Sequence, residues 1–343
     1  MDIATAEPHV VARLSELLGA PAQVVAHERA VDLLLHVGSR VVAVEFLAQA
    51  GAAHIGQALA RLAAARRDVG QDALLVVAVP YMGPVGQRLC AAAQVNWLDL
   101  SGNAQLVAPD LRILIEGQPN RYKTAGRRPD LFSPMRARVA RRLLMEPNRT
   151  WLQAELLAAT GLDAGHLSRT LRDLVSAGLV HRDAQRHLSV PDPDLLLTTW
   201  REAYDFDQHQ RLAGHLAVRS GDELVERITG HLRERGLPFA VTGLPAAWCW
   251  APMAMYRLVT VYVADLAAFE AAPPGGFRAE PGGANLWLVR PSDRGVFDGA
   301  EEVAGCPCVH PVQVYLDLKA QPERAAEAAD ELRRARLSWS RHA

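Results

Sequence analysis

An interruption at residues 117–134 determines how this 343-residue chain can be divided into folded parts. The segment is rich in Gly, Pro, Asn and Arg and poor in apolar residues, a composition typical of connections between domains. The length accommodates two or three domains of about 100–200 residues. We therefore predict an α/β domain over 1–118, a basic linker over 119–133, a mostly helical domain over 134–197 and a mixed α/β domain over 198–343.

Composition excludes several classes of protein. Half of the residues are hydrophobic and 22% are charged, a balance that permits packed cores and argues against disorder. No run of about 18 uncharged apolar residues occurs, and the acidic residues Asp2 and Glu7 stand where a signal peptide has a basic start. The four cysteines are too few for a disulfide scaffold in a chain this long. We predict a cytoplasmic protein that does not contact membranes.

Positive charge is concentrated around the linker, although the whole chain has a net charge of only −1. The segment 121–142 has one acid, Asp130, and eight cations: Arg121, Lys123, Arg127, Arg128, Arg136, Arg138, Arg141 and Arg142. Such a cluster is expected of a surface that contacts phosphates, because neutralising phosphates releases counterions. The alternative is a solvated linker in a chain whose cations are nearly all arginines.

Two helices joined by a tight turn are predicted inside the helical domain. Thr150 and Gln153 fit a capping box, which predicts a helix beginning at Trp151, and Gly161 ends it. Asp163 is placed to cap a second helix. This second helix has a buried stripe and ends at a glycine, and these positions are Leu167, Leu171, Leu174, Val175 and Gly178. Its opposite, polar side consists of His166, Ser168, Arg169 and Arg172.

A hairpin is predicted after these two helices, and a supporting helix is predicted before them. Residues 179–182 and 186–190 are two short strand-like runs around the polar tip 183–185, typical of a hairpin. We expect this hairpin to direct three side chains towards a DNA backbone: Arg182, Arg186 and His187. Upstream, Met135–Leu144 is predicted to be a supporting helix with Val139, Leu143 and Leu144 inward. Its expected outward side chains are Arg138, Arg141 and Arg142.

The segment 134–197 resembles the winged helix-turn-helix domains of bacterial transcriptional regulators, including the Ser-Arg-x-Leu core of the second helix and Gly-Leu-Val before the hairpin. The resemblance implies a second helix that reads the major groove. The candidate DNA contacts are Arg127, Arg128, Arg136, Arg138, Arg141, Arg142, His166, Ser168, Arg169, Arg172, Arg182, Arg186 and His187. Winged helices also serve as protein interaction modules, which leaves that alternative open.

The first domain resembles the PD-(D/E)xK nuclease superfamily around residues 31–47, a restriction-endonuclease-like α/β fold. The resemblance implies that Asp32 and Glu45 would hold a divalent metal such as Mg²⁺, for which anionic oxygens are suitable ligands. Leu47 stands where the family has its lysine, and an aliphatic chain cannot activate water. We therefore favour a scaffold without catalytic residues, in which Asp32 caps a strand end and Glu45 pairs with an arginine. A nuclease using both carboxylates with Mg²⁺ is the alternative.

The string Asn96–Asn103 (NWLDLSGN) carries a wider resemblance. It is similar to the AbiEi-type transcriptional regulators, antitoxins of type IV toxin–antitoxin systems. The similarity continues in the helical domain and in residues 192–201, 241–247 and 312–318. It implies a repressor of its own operon, and it implies a nucleotidyltransferase-like fold from about residue 200. The nuclease-like domain ahead of the winged helix departs from the usual layout of the family.

The last domain is not expected to catalyse nucleotide transfer. Thr242-Gly243-Leu244 lacks the serine of a phosphate-cradling loop, and Asp265 is the only acid at the end of the strand predicted over 258–264. Cys306, Cys308 and His310 supply at most three zinc ligands, and we interpret them as ordinary reduced cysteines and a nearby histidine. No metal site and no cofactor are predicted.

Together these patterns predict a sequence-specific regulator that binds double-stranded DNA, most simply a repressor acting as a homodimer on a pseudo-palindrome. The flanking α/β domains would dimerise or sense a signal, and any effector is unknown. The alternatives are a metal-dependent nuclease directed to DNA by the winged helix and a module that docks on protein.

Overall fold

The computed structural model describes residues 3–26, 31–48, 50–122, 131–253, 255–280 and 282–339. The chain is an α/β protein with two mixed sheets and divides into two compact units. The first unit contains residues 1–129 and 173–179, and the second contains 130–172 and 180–343. The predicted parts 134–197 and 198–343 thus share one unit, apart from 173–179. No helix within the described ranges is long and apolar enough to cross a membrane.

The first unit has a seven-stranded sheet whose strands follow chain order. Its helices and strands are α1 (Ile3–Leu18), β1 (Ala22–Ala26), β2 (Leu33–Val37), β3 (Arg40–Phe46), α2 (Ala52–Val69), β4 (Leu74–Val79), α3 (Pro84–Ala92), β5 (Asn96–Asp99), β6 (Ala104–Ala108) and β7 (Leu111–Ile115). The pairs β3–β4 and β4–β5 are parallel, and the other neighbours are antiparallel. These elements confirm the predicted α/β class of residues 1–118.

Side chains of the central strands are buried on both faces of this sheet. Leu33 and Leu35 of β2 pack with α1, whereas Leu34 belongs to the second core with α2. Strands covered on both faces require nearly continuous apolar runs, as in the all-buried β4. Glu45 is therefore an exception on β3, since its side chain is only 2% exposed.

The NWLDLSGN string forms a closed hydrogen-bonded loop after β5. The buried Asp99 carboxylate accepts from the backbone N–H groups of Met82, Gly102 and Asn103 and from the Asn103 side-chain amide, at 2.8–3.1 Å. Gly102 has φ +119°, a conformation that favours glycine. Asn103 also exchanges hydrogen bonds with the backbone of Gln118, so the loop anchors the chain where the linker begins. The distinctive string thus has a structural role in the first unit.

The second unit begins with helices and contains the other large sheet. Its elements, together with α6, are α4 (Pro134–Met145), α5 (Gln153–Thr160), α6 (Ala164–Ser176), β8 (His181–Arg182), β9 (Leu188–Ser189), α7 (Pro193–Ala203), β10 (Gln210–His215), α8 (Gly221–Glu234), β11 (Phe239–Thr242), α9 (Gly243–Trp250), β12 (Val259–Val263), α10 (Leu266–Ala271), β13 (Arg278–Ala279), β14 (Leu286–Arg290), β15 (Glu301–Val303), β16 (Cys306–Cys308), α11 (Pro311–Asp317) and α12 (Ala325–Arg336). The sheet order is β13-β10-β14-β12-β11-β16-β15. Only β12–β14 and β11–β16 are parallel in it.

The start of α5 differs from the sequence prediction. Trp151 is not helical, because its backbone exchanges two 2.8 Å hydrogen bonds with Leu188 of the hairpin. The helix begins at Gln153, and Glu155 accepts from the N–H of Leu152 at 2.7 Å. The predicted box of Thr150 and Gln153 is therefore wrong by two residues. Glutamate at the third helical position takes the role that we assigned to Gln153.

Candidate nucleic-acid interface

The turn between α5 and α6 has the predicted geometry. Gly161 adopts φ +61° at the end of α5, which a residue without a Cβ does at little cost. Asp163 accepts from the N–H of His166 at 2.8 Å and thereby caps α6. This hydrogen bond, reinforced by the charges of His166 and Arg169, lowers the pKa of Asp163. The start of α6 is thus fixed by local contacts that the sequence allows one to predict.

The predicted polar side of α6 is exposed. Ser168, Arg169 and Arg172 are exposed residues, whereas Leu167 and Leu171 on the opposite side are fully buried. His166 is only half-buried, and its carbonyl accepts from the Thr170 hydroxyl at 2.9 Å. The helix is 13 residues long, which corresponds to about 20 Å. Its exposed side therefore presents two guanidinium groups and one hydroxyl within about two turns.

The hairpin presents fewer free cations than predicted. Its strands pair His181 with Ser189 and Arg182 with Leu188, which confirms the hairpin. Arg186 is exposed at the tip with φ +69°. His187 instead contacts the Asp183 carboxylate through both its backbone N–H, at 2.8 Å, and its ring nitrogen, at 3.2 Å. Arg182 is half-buried and lies 3.5 Å from the side-chain oxygen of Gln153. Arg186 is consequently the most exposed of the three side chains predicted to contact DNA from the hairpin.

The arginines of α4 contradict the prediction that this helix directs its cations outward. Arg141 is only 3% exposed, and its guanidinium lies 5.3 Å from the Trp200 ring centroid. Arg138 makes a bidentate pair with Asp293, with both N–O distances at 2.8 Å. Local sequence patterns could not indicate these partners, because Asp293 lies 155 residues after Arg138 and Trp200 is itself buried.

Of the other candidate DNA contacts in this cluster, two lie on α4 and two lie in the linker. Arg142 pairs with Glu146 and covers the Trp151 ring, and Arg136 is half-buried. Arg127 and Arg128 fall outside the described residues. Burial excludes Arg141 from a phosphate-binding surface, and a phosphate-binding role for the other α4 arginines stays a prediction. Arg138 and Arg141 instead connect α4 to Asp293 and Gln313 elsewhere in the second unit.

A buried polar network, which the sequence analysis missed, contains Arg141. Its Nη2 donates to the Gln313 side-chain oxygen at 2.6 Å, and the Gln313 amide donates to Asp317 at 2.8 Å. Gln313 thus links a buried cation to a buried carboxylate, both of which would be costly to bury alone. Within the described residues, Nε and Nη1 of Arg141 have no hydrogen-bond partner. The i,i+4 spacing of Gln313 and Asp317 on α11 is compatible with their contact, but no sequence spacing indicates that Arg141 joins them.

The Asp317 carboxylate is the centre of this network. Besides Gln313, it accepts from the hydroxyls of Tyr204 at 2.5 Å, Tyr262 at 3.0 Å and Thr242 at 2.5 Å. Burial raises the pKa of Asp317 to about 6, although these four donors oppose the shift. Desolvation also lowers the pKa of the neighbouring His209 to about 4, so this imidazole is neutral at pH 7. The network is a hydrogen-bonded structural core in which every donor to Asp317 comes from a different element or loop.

The structure brings together the two carboxylates of the nuclease-like motif. Asp32 accepts from the N–H of Phe46 at 2.9 Å, next to Glu45, and Glu45 pairs with Arg61 of α2. These are the contacts expected of a scaffold. Burial and the nearby Asp32 charge raise the pKa of Glu45 to about 7, while Arg61 opposes the shift. Leu47 is buried in the second core with α2.

Glu45 should make stability depend on pH. A carboxyl whose pKa rises from an ordinary 4.5 to about 7 on folding stabilises the fold below pH 4.5. That contribution is lost as the pH rises to 7, and it amounts to at most about 3 kcal/mol. In urea unfolding, the free energy of unfolding of the wild type should therefore fall relative to that of Glu45→Gln as the pH rises from 4.5 to 8. The exposed Glu116→Gln control should follow the wild type; equal pH profiles for wild type and Glu45→Gln would refute the assignment.

An acid, a threonine and a histidine singled out in the last predicted domain have structural roles. Asp265 caps α10 by accepting from Ala268 at 3.1 Å. Thr242, before the glycine of the predicted loop, donates to Asp317. The ring of His310 accepts from the N–H of Val312 at 3.2 Å at the start of α11.

No protein-family model, curated protein or solved structure matches this chain.

Proposed function

We propose that the protein is a sequence-specific DNA-binding transcriptional regulator, most simply a repressor. The observation that carries the proposal is the exposed face of α6, with Ser168, Arg169 and Arg172 opposite a fully buried leucine stripe. The major groove, about 12 Å wide, admits one α-helix, and arginine recognises the O6 and N7 of guanine with two hydrogen bonds. Arg169 and Arg172 are the proposed base contacts.

The hairpin would supply a contact to the backbone in this arrangement. Arg186 at its tip is exposed, and a guanidinium that neutralises a phosphate adds affinity without sequence preference. The paired and buried arginines of α4 have no part in this surface. They would instead keep α4, against which α5 packs, attached to the α/β part of the second unit.

We also propose a fold for each part of the chain. Residues 134–197 would be a winged helix-turn-helix, the first unit a restriction-endonuclease-like scaffold, and the remainder of the second unit nucleotidyltransferase-like without its catalytic groups. An AbiEi-type, antitoxin-like regulator has this combination of parts except for the leading nuclease-like domain. A homodimer on a pseudo-palindromic operator is proposed because one such helix covers few base pairs.

Binding to duplex fragments from the region upstream of its own gene tests the proposal. Fluorescence anisotropy at about 50 and 200 mM salt should show binding to one fragment that weakens strongly with salt. An unrelated fragment of equal length should bind more weakly. Absence of salt-sensitive binding to every duplex would reject the proposal and favour docking on protein.

A second candidate function is supported by the proximity of Asp32 and Glu45. Two adjacent carboxylates can hold Mg²⁺ for phosphodiester hydrolysis. The pairing of Glu45 with Arg61 and the buried Leu47 count against it. We expect no cleavage of supercoiled plasmid with Mg²⁺ or Mn²⁺. Cleavage by the wild type that disappears in Asp32→Ala, but persists in the exposed Glu116→Gln control, would establish the nuclease instead.

A further inference from the structure

Three of the four cysteines meet at one place in the second unit. Cys306 and Cys308 lie on β16 and Cys249 lies on α9, and their sulfur atoms are all within 4.8 Å of one another. Residues two apart on a strand share a face, which explains how β16 directs both thiols the same way. α9 packs against β16 and adds the third. Sequence spacing links only Cys306, Cys308 and His310, and Cys249, 57 residues before Cys306, was not predicted to join them.

We propose that Cys249, Cys306 and Cys308 form a binding site for one thiophilic d¹⁰ metal ion, with Zn²⁺ the first choice. Thiolates select Zn²⁺ and Cu⁺ over hard ions such as Mg²⁺. A tetrahedral zinc with Zn–S distances of about 2.3 Å holds its sulfurs about 3.8 Å apart. The observed spacing therefore requires movements of about 1 Å or less.

The surroundings of the cluster suit a thiolate site. Cys308 is fully buried and Cys306 is 7% exposed, whereas Cys249 is half-buried and leaves a route for the ion. Three thiolates around Zn²⁺ have one net negative charge, and the Arg233 guanidinium is close enough to Cys306 to stabilise it electrostatically. Water can complete the zinc coordination from the side of Cys249, because three protein ligands leave one position open.

Pro307 and the strand pairing keep two of the ligands in place. Proline fixes its own φ, and β16 is held between β11 and β15. The ion would therefore connect α9 to this edge of the second sheet. Each coordinating thiol would release its proton to solvent on binding, so affinity should fall at low pH. This site is independent of the proposed DNA-binding surface.

Titration of the reduced, metal-free full-length protein under anaerobic conditions tests the proposal. Zn²⁺, Cd²⁺ and Cu⁺ are added separately, with Mg²⁺ as a hard-ion comparison. We expect saturation at one Zn²⁺ per chain, a thiolate-to-metal absorption band with Cd²⁺, proton release and a raised Tm. Saturation by Cu⁺ but not Zn²⁺ would support the site while assigning it to the three-coordinate ion. No tight binding of any thiophilic ion would overturn the proposal.

The remaining cysteine provides a matched control. Cys249→Ser and Cys306→Ser should each weaken Zn²⁺ binding by at least about 100-fold. Loss of a ligand should cost more than loss of a residue that only positions a ligand, which typically costs about 10- to 100-fold. Cys90→Ser, in the first unit, should bind like the wild type. Using two ligand variants, with circular dichroism for each, separates loss of the site from loss of folding. Unchanged affinity in a folded ligand variant, or equal loss in Cys90→Ser, would contradict the assignment.

Discussion

Replacing Asp317 by alanine should lower the free energy of unfolding of the second unit by about 3–5 kcal/mol. The carboxylate is fully buried and accepts four hydrogen bonds, from Tyr204, Tyr262, Gln313 and Thr242. Truncation leaves those four buried donors without their acceptor. It also removes the carboxylate that Gln313 connects to the Arg141 guanidinium. Urea unfolding followed by tryptophan fluorescence measures the loss.

Two further variants keep this prediction testable. Asp317→Asn should lose less, because it retains one acceptor oxygen and the hydroxyls can rotate towards it. Asp265→Ala is the matched control, since it removes a solvent-accessible helix cap and should cost about 1 kcal/mol. If Asp317→Ala and Asp265→Ala lower stability equally, the network does not have the role assigned to it.

Replacing Arg169 or Arg172 by alanine should weaken binding to the operator by roughly 10- to 100-fold, about 1–3 kcal/mol, with little effect on other duplexes. Arg186→Ala should act differently, because a phosphate contact contributes to every sequence. It should weaken all duplexes alike and reduce the slope of log K against log salt concentration by about 1. Anisotropy titrations over a range of salt concentrations distinguish these patterns.

The matched control is Arg334→Ala on α12, whose side chain is 72% exposed and paired with Glu331. It removes the same charge from the same unit and should leave operator affinity unchanged. An equal loss in the α6 variants and in Arg334→Ala would mean that only net charge matters. In that case α6 would not be a reading helix.

Local patterns predicted much of the structure. The α6 helix follows from Asp163, the leucine stripe and Gly178, because capping and periodicity act within a few residues. The strand and helix order of the first unit follows from apolar runs of 4–8 residues bounded by turn signals. Asp32 and Glu45 meet because adjacent strands place them together, as the motif implied.

Long-range contacts account for what the sequence could not predict. Arg141 has helical spacing typical of an outward residue, but Gln313 and Trp200 surround it from distant segments. The capping-box pattern places Trp151 at the start of α5, yet its pairing with Leu188 excludes it from the helix. Cys249 is unremarkable in sequence and joins Cys306 only through the packing of α9 on β16. A charge run therefore predicted a surface in a region where folding pairs Arg138 and Arg142 with carboxylates and buries Arg141.

Selection from a pool of random duplexes tests the central claim most directly. The wild-type protein should enrich one sequence, and Arg169→Ala and Arg172→Ala should each lose preference at a single base pair within it, while Arg334→Ala keeps the full preference. Failure of the wild type to enrich any sequence, or an unchanged preference when both α6 arginines are replaced, would contradict the account.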